Sequence, residues 1–145
     1  MVKLTPNTKK CTVKPTVANT GNGAPGLSTK QRGDIGEARA LGFLRNQGLQ
    51  LLARNYRTPG RGGGEIDLIM RSPDQTIVFV EVRWRVSDTF GGAGASINAA
   101  KRRRIVRAAQ YFLHRLRHLP ACRFDVVLLG PNGVQWLVAA FDAQA

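Results

Sequence analysis

Residues 64–70 read Gly-Glu-Ile-Asp-Leu-Ile-Met, and residues 76–83 read Thr-Ile-Val-Phe-Val-Glu-Val-Arg. Both runs are rich in the β-branched and aromatic residues that favour strands. The segment between them contains Ser72-Pro73-Asp74-Gln75, in which the proline and the aspartate favour a tight turn. The whole stretch therefore predicts a β-hairpin.

Acidic residues interrupt the apolar pattern of both predicted strands. Because side chains alternate across a strand, Glu65 and Asp67 share one face of the first strand. By the same count, Glu81 shares a face of the second strand with Arg83. A carboxylate near a core is costly unless it is paired, hydrogen-bonded or bound to a metal. If the acidic faces coincide, Asp67 and Glu81 converge on one point that suits a divalent cation, because hard cations take carboxylate and carbonyl oxygens.

Positive charge is concentrated in two segments. The 145-residue chain has 22 lysines and arginines against 9 acids, which gives a net charge of +13. Residues 1–30 contain five lysines, and residues 89–124 contain eight basic residues, with no acid in either segment. Such clustering indicates a polyanionic partner, of which nucleic acid is the commonest. A membrane surface is disfavoured, because the sequence offers no apolar anchoring face beyond what the core needs.

The length of the chain fits one domain. Residues 1–28 are rich in polar residues, proline and glycine without periodicity, which predicts a flexible basic tail before a folded domain at residues 29–145. The tail is either a dispensable extension or a basic arm that adds non-specific affinity. No apolar stretch approaches the roughly 20 residues that cross a bilayer, and the basic N-terminus lacks the apolar segment of a secretory signal. We therefore expect a cytoplasmic location.

A first helix is predicted over about residues 28–47, with Ser28 or Thr29 as its cap and Gly48 as its stop. Glu37 falls on the apolar stripe of this helix. An acid at that position either pairs with an arginine or points into a functional site.

A second helix is predicted over about residues 95–117, after a glycine-rich segment. Lys101 lies inside its apolar stripe, four residues from Ile97 and four from Ile105. This lysine either extends to solvent at the edge of the core or reaches the acidic cluster. The helix also carries basic residues off the stripe, namely Arg102, Arg103, Arg107 and Arg117. Together with Arg61, which lies in a separate glycine-rich loop at residues 58–64, they predict a nucleic-acid-binding surface.

Three further strands are predicted over residues 49–57, 122–129 and 134–141. The resulting order of helix, three strands, helix and two strands predicts an α/β fold with a mixed β-sheet flanked by helices. Trp84 and Trp136 lie on apolar strand faces and are predicted to belong to the core. Asp125 is predicted to pair with an arginine or to cap a loop.

Five short motifs occur in a fixed order between about Lys30 and Phe141. They are Gly33-Asp-Ile-Gly-Glu-Ala38, Asn55-Tyr-Arg57, Gly64-Glu-Ile-Asp-Leu-Ile69, Phe79-Val-Glu-Val-Arg83 and Arg123-Phe-Asp-Val-Val127. In these motifs the chain resembles the YraN-like family of uncharacterised bacterial predicted endonucleases, within the PD-(D/E)XK nuclease superfamily. The resemblance implies a restriction-endonuclease-like fold and a metal-dependent endonuclease that acts on structured or branched nucleic acid, with DNA favoured over RNA.

The resemblance also implies roles for individual residues. Asp67 and Glu81, with the backbone carbonyl of Val82, would hold Mg²⁺ or Mn²⁺, and Glu37 would complete the outer shell. Arg83 stands where the superfamily usually has lysine. Because arginine stays protonated, Arg83 can orient a phosphate but cannot act as a general base, and Lys101 would assist it.

Two other functions fit the same residues. The first is a non-catalytic module that binds nucleic acid on the same fold. The second is a structural assembly factor, in which the acids form salt bridges with Arg83 and Arg85. Metal binding separates the nuclease from the assembly factor, and turnover separates it from the binding module.

Overall fold

The computed structural model describes residues 26–85 and 97–144. The elements follow the predicted order: α1 (Thr29–Asn46), β1 (Gln50–Arg57), β2 (Glu65–Arg71), β3 (Ile77–Trp84), α2 (Ala99–Leu113), β4 (Cys122–Gly130) and β5 (Gly133–Phe141). Most of the predicted tail, residues 1–25, and the predicted glycine-rich start of the second helix, within residues 86–96, lie outside the described residues.

The five strands form one mixed sheet in sequence order. Neighbouring strands are antiparallel except β3 and β4, which run parallel. Parallel neighbours need a long crossover connection, and α2 lies within it. The hairpin predicted at β2 and β3 is confirmed: the Gln75 N–H donates to the Ser72 carbonyl at 2.9 Å, and Arg71 pairs with Ile77. The α/β class and the mixed sheet are confirmed as well.

The two helices cover opposite faces of the sheet. Side chains of β3 show this directly, because Val78 and Val80 pack in one apolar cluster with Leu44 of α1. Their neighbour Phe79 packs in the other cluster with Ile105 of α2. A strand buried on both faces needs apolar residues at successive positions, which explains the continuous apolar run of β3.

Both helices begin at side-chain caps. The Ser28 hydroxyl accepts from the Gln31 N–H at 3.2 Å, and the Gln31 side chain accepts from the Ser28 N–H at 2.9 Å, so the predicted cap is confirmed as a reciprocal capping box. In α2 the Asn98 side chain accepts from the Lys101 N–H at 2.8 Å.

The end of α2 comes earlier than predicted, at Leu113 rather than near residue 117. Beyond it, the N–H groups of Arg115 and Leu116 donate to carbonyls three residues back, which tightens the last turn. Pro120 disfavours helical geometry at Leu119, so a helix would not continue past this point toward β4.

Asp125 ties β4 to β5. It is fully buried, and its carboxylate accepts from the Arg123 guanidinium at 3.0 Å, the Trp136 indole at 3.0 Å and the Ala139 N–H at 2.9 Å. The predicted pairing with an arginine is therefore confirmed. Burial raises the pKa of Asp125, although these donors oppose the rise. The role of this residue is structural, because its oxygens already accept from all three of these donors.

The loop between β1 and β2 is held against α2. The Gly64 N–H donates to the Thr58 hydroxyl at 2.8 Å, and the Arg107 guanidinium donates to the Gly62 carbonyl at 3.3 Å. A Cβ atom on Gly64 would lie 1.9 Å from the carbonyl oxygen of Arg104. Only glycine therefore permits this close approach of loop and helix.

Gly64→Ala is expected to lower the unfolding free energy by about 3 kcal/mol, since backbone must shift to admit the methyl group. Urea unfolding measures the loss. Gly42→Ala is the control, because Gly42 lies in α1 with no atom near the added methyl; it should raise stability by up to about 1 kcal/mol. Equal stability of the Gly64 variant and the wild type would contradict the close approach.

Candidate functional site

The paired register of β2 and β3 ends before both strands do. It runs from Arg71↔Ile77 to Leu68↔Val80, whereas β2 begins at Glu65 and β3 continues to Trp84. A backbone N–H released from a strand pair needs another acceptor.

The side chain of Asp67 supplies that acceptor. Its carboxylate accepts from the Val82 N–H at 2.8 Å. The acid is thereby fixed across the opening between the two strands. Burial raises the pKa of Asp67, and the Val82 N–H and the Lys101 charge oppose the rise.

Glu81 lies across the same opening and is only 7% exposed. The Lys101 ammonium lies 3.2 Å from its Oε1. Burial and the neighbouring Asp67 charge raise the pKa of Glu81 to about 7, against the opposing charge of Lys101. The predicted convergence of Asp67 and Glu81 is therefore present: the two carboxylates lie close enough to perturb each other's protonation.

Glu37 approaches this pair from α1. Burial raises its pKa, the Asp67 charge adds to the rise, and Asn55 and Arg54 oppose it. The Arg54 guanidinium lies 3.9 Å from Glu37 Oε2. Glu37 is thus near an arginine and within electrostatic reach of Asp67, and its place in a functional site stays a prediction.

Lys101 reaches the acidic cluster, which settles the choice left open by its position in the apolar stripe. It extends from the first turn of α2 to Glu81, and its side chain is still 38% exposed. With Glu81, Val82 and Arg83 it lines a cavity of about 420 Å³. The roles of Lys101 and Arg83 in catalysis stay predictions.

Two buried carboxylate oxygens, Glu37 Oε2 and Glu81 Oε2, have no hydrogen-bond donor within the described part of the chain. A buried oxygen without a partner is costly, and a cation would satisfy it. Across residues 26–85 and 97–144, no three Asp, Glu, His or Cys side chains lie close enough to form a metal site by themselves. Mg²⁺ is usually held by only one or two carboxylates, with waters and substrate phosphate as the other ligands. Asp67 and Glu81, with the Val82 carbonyl, fit such an open site.

A basic hollow of about 300 Å³ lies between the loop that follows β1 and the outer side of α2. The structure brings Arg61 and Arg107 together in its lining, with Tyr111 and His114 beside them. Sequence reasoning missed Tyr111, although its position off the apolar stripe of α2 was a usable signal. Its side chain is 45% exposed.

The other predicted nucleic-acid-binding arginines are not equivalent. Arg103 and Arg117 are exposed. Arg102 instead donates to the Ile97 carbonyl at 3.1 Å, and its guanidinium lies 5.7 Å from the ring centre of Phe141. One of its N–H donors is therefore used inside the protein, and the residue is only partly exposed.

The prediction that Trp84 belongs to the core is wrong. Trp84 is 36% exposed and lines the candidate cavity, because β3 extends here beyond its pairing with β2. Trp136 is partly buried and packs edge-to-face on Phe43, with 6.2 Å between ring centres. The charged neighbours Arg83 and Arg85 were the signal that Trp84 stands at the end of the apolar run.

Comparison with known proteins identifies the family. Residues 36–129 match the model of the uncharacterised protein family UPF0102. This chain belongs to the UPF0102 family. It is 62% identical over 126 residues to a UPF0102 protein of Paracidovorax citrulli, covering 87% of this chain and 93% of the relative. A UPF0102 protein of Polaromonas naphthalenivorans is 51% identical over 148 residues, covering 93% of this chain and 97% of the relative.

The UPF0102 match confirms the YraN-like resemblance. It includes Glu37, Asp67, Glu81, Arg83 and Lys101, so the whole candidate site lies within the family's shared region. The family description names no activity, and the implied endonuclease function therefore stays a prediction. Neither described helix is long and apolar enough to span a membrane.

The stability of this UPF0102 protein should fall as pH rises from about 4.5 to about 7. In that window folded Glu81, whose pKa is raised from 4.5 to about 7, keeps a proton that the unfolded chain releases. The change corresponds to about 3 kcal/mol of unfolding free energy. Urea unfolding with a metal chelator present, at about pH 5 and about pH 8, measures it.

Glu81→Gln should remove the part of this pH dependence that Glu81 contributes and be more stable than the wild type at the higher pH. Glu65→Gln is the control, since Glu65 lies on the same sheet but is partly exposed and pairs with Arg57 at 3.0 Å. If Glu81→Gln kept the full dependence, the raised pKa would belong to another group.

Proposed function

We propose that this protein is a metal-dependent endonuclease that hydrolyses phosphodiester bonds in nucleic acid. The observation that carries the proposal is the pair of acids at the opening between β2 and β3, of which Glu81 is buried and Asp67 partly buried. Asp67 is fixed by a backbone N–H, Glu81 is held by Lys101, and Glu81 Oε2 has no donor within the described residues. Such a preorganised and incompletely satisfied cluster is characteristic of a functional site rather than of packing.

Asp67, Glu81 and the Val82 carbonyl would hold Mg²⁺ or Mn²⁺, with Glu37 in the outer shell. When bound, the cation lowers the pKa of a water molecule and neutralises charge on the phosphate. The Val82 N–H fixes the orientation of Asp67 before any ligand arrives. The charge of Lys101 favours the ionised form of Glu81, which is the form that binds a cation.

The remaining cations of the site would bind the substrate. Arg83 lines the cavity and offers a planar group suited to phosphate oxygens. Lys101 is exposed enough to contact a phosphate while it stays beside Glu81. Arg61 and Arg107 would contact the backbone further along. Phosphate contacts position a nucleic acid without reading its sequence. We therefore propose that the protein selects structured or branched DNA by its shape and not by its base sequence. We propose the cytoplasm as its location.

A cleavage panel tests this function. Branched, flapped, single-stranded and duplex DNA and RNA are incubated with Mg²⁺ or Mn²⁺, and with a chelator as the blank. We expect metal-dependent cleavage of structured DNA. Tight binding without cleavage under every condition would overturn the nuclease proposal and support the non-catalytic binding module. One feature that favours the binding module is Arg83, which stands where the nuclease superfamily usually has lysine.

Binding should depend on the hollow formed by Arg61 and Arg107. Changing both to glutamine should make the slope of log affinity against log salt shallower by about 1.8, since each lost phosphate contact contributes about 0.9 on duplex DNA. Fluorescence anisotropy at several salt concentrations measures the slope. The control changes the exposed residues Arg39 and Arg45 of α1 to glutamine, which removes the same amount of charge. Equal slopes in the two double variants would place the binding surface elsewhere.

A further inference from the structure

The indole of Trp84 stands between two hollows. One is the candidate cavity, which Trp84 lines together with Glu81 and Lys101. The other is a hollow of about 320 Å³ that Trp84 lines together with Leu27, Arg32 and Ile35. The two hollows therefore meet at Trp84, which is the residue that their linings share.

The orientation of the Trp84 ring is fixed. Its N–H donates to the Arg32 carbonyl at 3.0 Å, and Gly36 leaves room for it, since a Cβ there would lie 2.7 Å from the indole nitrogen. The Arg32 guanidinium lies 5.8 Å from the ring centre. The ring is thus held in place by its edge, while 36% of the residue stays exposed.

The surroundings of the ring are apolar and exposed. Leu27 is 46% exposed and Ile35 is 47% exposed. A fixed aromatic ring with exposed aliphatic neighbours suits a flat apolar ligand better than water. The adjoining cations Arg32 and Lys101 suit a ligand that is also anionic.

We propose that Trp84 is a stacking platform for an unpaired nucleobase whose neighbouring phosphate lies in the cavity of Glu81 and Lys101. This inference rests on the proposed function and deepens it. A nucleotide combines a flat base, which suits the hollow of Leu27 and Ile35, with an anionic phosphate, which suits the cavity that Lys101 lines. Base stacking on an aromatic side chain tolerates every base, because each has a π face.

The size of the second hollow limits the ligand. A volume of about 320 Å³ lies at the lower end of small-ligand sites, about 300–1,000 Å³, and is a size that suits a single base. Bases inside a duplex are paired and stacked on each other, so they cannot reach Trp84. The substrate class is therefore nucleic acid with an unpaired nucleotide beside the target phosphate, such as a flap, a gap or a single-stranded end.

Binding measurements without metal test the platform, so that cleavage plays no part. Trp84→Leu should weaken binding of a single-stranded or flapped oligonucleotide about tenfold and change binding of a blunt duplex by less than about twofold. Trp84→Phe should keep most of the affinity, because its ring still stacks. Leu52→Ala is the control, since Leu52 of β1 is also 36% exposed and should leave both affinities unchanged. Thermal unfolding verifies that each variant is folded.

Tryptophan fluorescence adds a second readout. The chain has two tryptophans, so a quench by single-stranded oligonucleotide that disappears in Trp84→Phe is assigned to Trp84. Equal losses for flapped and duplex DNA in Trp84→Leu, or no loss, would overturn the platform while leaving the nuclease proposal intact. Absence of nucleic-acid binding by the wild type would overturn the proposed function itself. An emission change on deletion of residues 1–25, without any response to oligonucleotide, would assign the hollow to the chain's own tail and overturn the platform.

Discussion

Asp67→Asn is expected to abolish metal-dependent cleavage, with a loss of about 10³-fold or more, equivalent to about 4 kcal/mol of barrier. The amide keeps an oxygen that can accept from the Val82 N–H, so the local backbone should not change. The substitution removes the negative charge that a bound divalent cation requires of its ligand. The same change relieves the repulsion between Asp67 and Glu81, so the metal-free variant should unfold at a higher temperature than the wild type.

Calorimetric titration with Mn²⁺ measures the loss of metal binding, and thermal unfolding measures the gain in stability. Glu65→Gln removes the same charge from the same strand and serves as the control, with metal affinity expected to stay at the wild-type level. Equal Mn²⁺ affinity in Asp67→Asn and the wild type would favour the interpretation of these acids as salt-bridge partners in an assembly factor.

Arg83→Ala is expected to slow cleavage by about 10²-fold or more, because it removes a positive group from the cavity where charge develops on the phosphate. Arg83→Lys should retain cleavage within about tenfold, roughly 1.4 kcal/mol, if the chain uses this position only for its charge. Single-turnover rates on the best substrate of the panel measure both effects. Arg45→Gln, on the opposite face of the sheet, controls for the loss of one positive charge.

The outcomes at Arg83 discriminate between the candidate functions. If the wild type does not cleave nucleic acid but the Arg83→Lys variant does, the protein is a binding module derived from a nuclease. A wild type and an Arg83→Ala variant that cut equally well would remove Arg83 from catalysis. Lys101, which contacts Glu81 at 3.2 Å, would then be the better candidate.

The acidic site opposes the stability of the fold that contains it. Burial raises the pKa of Glu37, Asp67 and Glu81 together, and two of their buried oxygens lack donors among the described residues. A packed core of the same size would avoid these costs. Strained or destabilised clusters of this kind are typical of functional sites, where binding of the ligand compensates for the cost.

Local pattern was enough to predict the order of elements and the convergence of the two acids. The alternation of side chains has a fixed period of two in a strand, so the positions of Asp67 and Glu81 within a hairpin follow from counting. For Lys101 the same kind of reasoning left two alternatives, the edge of the core or the acidic cluster, because its position in a helical stripe restricts where it can point. Both inferences depend only on periodicities that the backbone imposes.

The α/β order, the β2–β3 hairpin and the acidic pair were predictable because they depend on residues close together in the chain. Three features became evident from the folded chain alone: β2 and β3 separate beyond Leu68, the Val82 N–H donates to Asp67, and Trp84 is exposed. Each of these depends on which distant atoms cover a given position. Alternation assigns a side chain to a face of a sheet, but the packing of the other elements decides whether that face is buried, paired or open to a ligand.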